Sequence, residues 1–173
     1  MSGLSFLRDV AGRITEVLGI QTSAGAGDAG KIAALDAAGR WDISMMPVGV
    51  AAEVVTCATS ENLSGGNWVN LYLNAAVLTA RKADATAAGK EAKGFVLVAS
   101  TSPANAVVYL EGSNTGVAGA TIGTEYFLNT TAGGETTTAP SASGNVVQPL
   151  GIATSATVIN FIPSAPGHLV VKA

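Results

Sequence analysis

The run Gly25-Ala26-Gly27-Asp28-Ala29-Gly30 has the spacing of a dinucleotide fingerprint, in which glycines let a backbone turn approach a pyrophosphate at a helix N-terminus. That chemistry needs a strand before the glycines and a helix after them. Here a helical pattern precedes the run and Gly39 soon breaks the stretch after it, so it reads as a flexible Gly/Ala hinge. Nucleophilic catalysis needs a base beside the nucleophile, and the chain has one histidine, His168, beside Pro166 and Gly167, and one thiol, Cys57, in an apolar strand-like run. A cysteine in such a run reads as buried and structural. One Cys and one His fall short of a zinc ligand set. The carboxylates Asp28, Asp36, Asp42, Glu53, Glu61, Glu91, Glu111, Glu125 and Glu135 form no constellation and read as turn formers, caps and solubilising groups. The dense Asp/Asn spacing of a calcium loop is absent. Asn62-Leu63-Ser64 and Asn129-Thr130-Thr131 match the glycosylation sequon, which carries weight only in a secreted chain. Trp68 and Tyr72 share one face of a strand, where they either stack on a sugar ring or fill the core. No residue is assigned a catalytic, cofactor-binding or metal-binding role, and no cofactor is expected.

Composition points the same way. The 173 residues suffice for one core with an appended arm. Charged residues make up 12% and apolar residues 48%, so the surface is built from Thr, Ser, Ala, Asn and Gly. A surface poor in charge suits close packing of subunits, where charge is costly to desolvate. The net charge of -3 and the lack of a basic patch argue against nucleic-acid binding. No apolar run reaches the length that spans a bilayer, and Arg8 and Asp9 interrupt the N-terminal stretch that could pose as a signal peptide. No membrane partner is expected, and the chain reads as made in a cytosol.

The elements that would position any site divide the chain in three. In residues 1–20, Leu7, Val10, Ala11, Ile14, Val17 and Leu18 fall at helical spacing, which predicts a short amphipathic helix with Ser2 or Ser5 as cap and Gly19 as stop. Alone it is marginal, so its stripe needs a partner: its own domain, a sister subunit or another protein. Residues 21–47 are broken by Gly25, Gly27, Gly30 and Gly39 and read as an extended arm or linker. Its sparse apolar groups Ile32, Leu35, Trp41, Ile43, Met45 and Met46 are candidate anchors for a partner's grooves. With Leu7, Val10, Ile14 and Leu18 they form the candidate interface.

Residues 48–173 carry short β-like runs: Val48–Thr56, Trp68–Leu73, Phe95–Ala99, Ala106–Glu111, Glu125–Leu128, Val146–Ala153 and Thr157–Ile162. Gly- and Ser-rich turns such as Ser64-Gly65-Gly66-Asn67 and Ala132-Gly133-Gly134 separate them. The prediction is a mainly β fold, with a small β-barrel or β-sandwich placed after the helix and the arm. Ala83–Gly89 reads equally as a helical turn or a loop.

Two stretches carry a resemblance. Gly27-Asp28-Ala29-Gly30-Lys31, Leu35-Asp36, Gly39-Arg40 and Met45-Met46-Pro47 resemble a segment common in structural proteins of tailed bacteriophages. Tyr126-Phe127-Leu128, Ala132-Gly133-Gly134, the run from Ser143 to Ala153 and Asn160-Phe161-Ile162-Pro163 are similar to the β domain of capsid decoration (cement) proteins and related head or tail fibre modules. The resemblance implies a virion protein: a homotrimer on the capsid exterior, with an arm reaching over neighbouring subunits of the major capsid protein. Its rivals are a head or tail fibre or spike component attached by the N-terminal helix, and a carbohydrate-binding β module using Trp68 and Tyr72.

Overall fold

The computed structural model describes residues 5–46, 52–163 and 169–173. The expectations for Pro47, for the run from Val48 to Ala51 and for His168 lie outside the described residues. The chain divides into two compact units, Met1–Ala51 and Ala52–Ala173.

In the first unit the expected helix is replaced by a β-hairpin. Strand β1 (Ser5–Val10) pairs antiparallel with β2 (Arg13–Leu18) through six residue pairs, from Ser5–Leu18 to Val10–Arg13. Ala11 and Gly12 both take left-handed conformations, φ 54° and 77°, which is the two-residue turn whose twist matches a hairpin. The Asp9 carboxylate accepts the Gly12 N–H at 2.8 Å and fixes that turn. The apolar positions satisfy helical spacing, but Val10, Ile14, Thr15 and Val17 are β-branched and lose side-chain freedom in a helix.

An isolated hairpin is marginal in water. Residues 21–47 are expected as an extended arm; those of them that the structure describes, 21–46, fold back on the hairpin instead. Ile20 donates to Ile32 O (2.9 Å) and Ala34 donates to Ile20 O (2.8 Å), making a parallel bridge. Gly19 explains the closeness of this return: a Cβ there would lie 2.7 Å from the Phe6 ring and 2.9 Å from Ala34 Cβ. Arg8 donates to Gly30 O at 3.0 Å. Short 3-10 turns occupy Ala26–Asp28 and Ile43–Met45.

The second unit is mainly β. Strands β3 (Val54–Thr59), β4 (Trp68–Asn74), β5 (Val77–Lys82), β6 (Gly94–Val96) and β7 (Asn105–Tyr109) close into a barrel of order β3-β5-β4-β6-β7. All its pairings are antiparallel except β3–β5, which is joined only by Ala58–Thr79 and Thr59–Ala80. Strands β8 (Gly112–Asn114), β9 (Glu125–Leu128), β10 (Glu135–Thr136), β12 (Pro149–Ser155) and β13 (Val158–Phe161) form a sheet of order β10-β9-β12-β13-β8, while β11 (Val146–Val147) pairs with β14 (Val170–Val171). Ala83–Gly89 is a loop, pinned where Asp84 accepts from Thr86 N–H and Lys90.

Alternation along the barrel strands separates two cores. Val55, Cys57, Val69, Leu71, Ala80, Val96, Ala106 and Val108 point inside the barrel. Trp68 and Phe95 point the other way and pack with Leu128, Leu150, Ile159 and Phe161 of the sheet. Trp68 sits 5.8 Å from Phe95 and 5.3 Å from Phe161 between ring centres, edge-on or tilted, the favoured geometry for aromatic pairs. Buried polar groups join the two layers. The Gln148 amide exchanges two 2.8 Å hydrogen bonds with the Ala92 backbone, and Asn114 donates to Gly66 O at 2.8 Å.

Candidate functional site

Directly paired residues of a hairpin share a face, so the register assigns every side chain of the ribbon. One face holds Ser5, Leu7, Asp9, Ile14, Glu16 and Leu18; the other holds Phe6, Arg8, Val10, Arg13, Thr15 and Val17. The second face packs against residues 19–46, leaving Phe6 and Val17 partly buried. The first faces solvent: Leu7 is 77% exposed, Ile14 79% and Leu18 65%. Leu7 lies diagonally between the other two, within reach of both. Charge is segregated as well. The exposed face carries Asp9 and Glu16, the packed face Arg8 and Arg13.

A second apolar surface lies on the packed side of the unit. Phe6, Ala33, Leu35, Ala37, Gly39 and Trp41 line a groove of about 500 Å³, with Leu35 and Trp41 exposed. Its rim is a tight loop in which Asp36 accepts from Ala38 N–H (2.9 Å) and Arg40 N–H (2.8 Å), and Gly39 supplies the left-handed residue at φ 73°. The turns beside it are held similarly. Asp28 takes Lys31 Nζ at 2.5 Å and Ala24 N–H, and these bonds, the lysine's first, hold its carboxyl below the usual range. Asp42 takes the Ser44 hydroxyl at 2.6 Å and the Ser44 N–H at 2.9 Å, with the same effect. The Gly-Asp-Ala-Gly-Lys, Leu-Asp and Gly-Arg pieces of residues 27–40 are thus turn locks, each combining an aspartate with a small or left-handed residue.

The structure brings five of the ten candidate interface residues together, in two groups, and leaves the other five outside both. Leu7, Ile14 and Leu18 share the exposed hairpin face, while Leu35 and Trp41 belong to the groove on the other side. Val10 is on the packed face at the tip and half-exposed; Ile32 and Met45 are partly buried; Met46 is exposed; Ile43 opens the second 3-10 turn. Phe6 is not among the ten. Its alternation with Leu7 and its pairing with Val17 are the signals that place it in the groove wall.

Trp68 offers no platform for a sugar, which corrects the stacking role open to it from the sequence. It is fully buried, and its indole donates to Glu135 Oε2 at 2.8 Å. Tyr72 lies beneath Arg81, whose guanidinium sits 4.3 Å from the ring centre, and Arg81 Nε in turn donates to Asn70 Oδ1 at 3.0 Å. Cys57 is buried inside the barrel, and burial pushes its thiol pKa up. Among the described residues, no three His, Cys, Asp or Glu side chains cluster as metal ligands, and no helix is long and apolar enough to cross a membrane. No protein-family model, curated protein or solved structure matches the chain.

Proposed function

We propose that this chain is a non-enzymatic virion structural protein, a capsid decoration (cement) protein that trimerises and clamps neighbouring major capsid subunits from the capsid exterior. The observation that carries this reading is the face formed by Leu7, Ile14 and Leu18. Three large apolar side chains stand in solvent on a ribbon whose opposite face is covered only at Phe6 and Val17. Burying each is worth roughly 1.5–3 kcal/mol, so a free surface of this kind is an uncovered contact. The second unit keeps both of its cores to itself and so needs nothing from the first to fold. That division suits a module in which one part grips and the other supplies bulk and self-association. Leu73, Val77 and Val98, also exposed, give the β domain apolar surface for the trimer contact. Three copies then engage three shell sites at high effective concentration.

The test is co-sedimentation of the full chain with shells of the major capsid protein made alongside it. Wild type is expected to pellet with the shells and to show a solution mass about three times 17.1 kDa. Replacing Leu7, Ile14 and Leu18 together by Ser is expected to weaken shell binding at least about tenfold per site while leaving the β-sheet signal intact. Undiminished binding by that variant overturns the role given to this face.

A further inference from the structure

We propose that the exposed hairpin face selects a partner surface with an apolar centre and a cationic rim, and rejects a second copy of itself. This selectivity rests on the docking role proposed for the face and adds the chemistry of what docks. Register places Glu16 directly across from Leu7, and Asp9 directly across from Ile14. Residues so paired have Cβ atoms about 5 Å apart, so whatever covers the leucine and the isoleucine also crowds water away from both carboxylates. No cation of the described residues compensates them. The ion pairs of those residues join Lys31 to Asp28, Lys82 to Glu61 and Lys90 to Asp84, and the hairpin's own Arg8 and Arg13 are on the opposite face. Asp9 spends one oxygen on the Gly12 N–H, a neutral donor.

Desolvating two unpaired carboxylates opposes docking unless the partner brings opposite charge to the edge of the contact. A second copy laid face to face would bring two more acids, and like charges across an interface are destabilising. A uniformly apolar surface would bring none. The complementary occupant is a different protein surface on which Lys or Arg side chains flank an apolar patch, with the Leu7, Ile14 and Leu18 side chains filling the centre.

The test uses the full chain with methyl-labelled Leu, Ile and Val and two synthetic amphipathic helical peptides of equal length. The peptides share one leucine stripe and differ in bearing Lys or Glu at every flanking position. The lysine peptide is expected to shift the Leu7, Ile14 and Leu18 methyl signals and to bind at least about threefold more tightly than the glutamate peptide, a preference that shrinks as salt rises. Glu16→Lys is expected to abolish or reverse it, and Glu16 is exposed enough to be replaced without disturbing the fold. Equal binding of the two peptides, binding of neither, shifts confined to other methyls, or an unchanged preference in Glu16→Lys would overturn the proposal. So would self-association of the wild-type chain through these methyls. Shell co-sedimentation separates this failure from failure of the docking role. Loss of binding in the triple Ser variant with indifference to Glu16→Lys leaves the docking face standing and removes its cationic partner. Indifference to both removes the docking face itself.

Discussion

Trp68 and Glu135 show how one side-chain pair ties the barrel to the neighbouring sheet. The indole is fully buried on β4, and its N–H ends on a carboxylate carried by the short edge strand β10. Burial pushes the Glu135 pKa above its ordinary value of 4.5, more than the indole hydrogen bond pulls it down. A raised folded-state pKa means that the folded protein holds this proton more tightly than the unfolded chain. The stabilisation from it is complete below the ordinary glutamate range and is lost as pH rises through the folded value. Glu135→Gln keeps an oxygen for the indole and removes the desolvated charge, so it is expected to raise the denaturation midpoint at neutral pH and remove this contribution to the pH dependence. Glu135→Ala leaves the indole N–H buried without an acceptor and is expected to cost about 1–3 kcal/mol. Chemical denaturation of the three proteins at pH 4 and pH 7 reads both effects.

At the scale of elements, the turns decide what the residues become. Two hairpins close through alanines in left-handed conformations, Ala11 before Gly12 and Ala75 before Ala76, the latter pair with φ 47° and 68°. Such positions disfavour alanine and favour Asn-Gly. The double change Ala75→Asn, Ala76→Gly is therefore expected to stabilise the β4–β5 hairpin by about 1 kcal/mol, measured as a higher urea midpoint with an unchanged slope. The same turns mark where the sequence is legible. Glu125–Leu128 and the strand beginning at Trp68 can be read directly, because apolar alternation there is bounded by Gly-rich turns. Strand β5 escapes such a reading because Ala75-Ala76 carries no turn residue type and the strand ends in Arg81-Lys82. The hairpin β1–β2 reads as a helix because Leu7, Val10, Ile14 and Leu18 satisfy a period near 3.6, and nothing in the sequence reveals the Asp9 bond to Gly12 N–H. The candidate site suffers accordingly. Its large apolar residues can be named, since they have no core to join, but a helical stripe merges what a two-residue period divides between two faces.

For the molecule as a whole, the two units differ in how completely they satisfy themselves. Every side chain in the two cores belongs to Ala52–Ala173, whereas in the first unit Ala34 is the one buried apolar residue among those whose burial is described. A fragment of residues 52–173 is expected to unfold cooperatively at nearly the midpoint of the full chain and to lose shell binding; a molten fragment by near-ultraviolet circular dichroism would contradict this. Within that unit, the barrel owes its closure to two residue pairs between β3 and β5, with Cys57 on the strand just before them and its thiol near the Ala80 backbone. Few backbone hydrogen bonds join those two strands, so parting them is expected to cost less than global unfolding. The lone sulfhydryl is then expected to keep time for the molecule: its rate of alkylation would count how often that stave lifts, and any partner that braces the stave would slow the count.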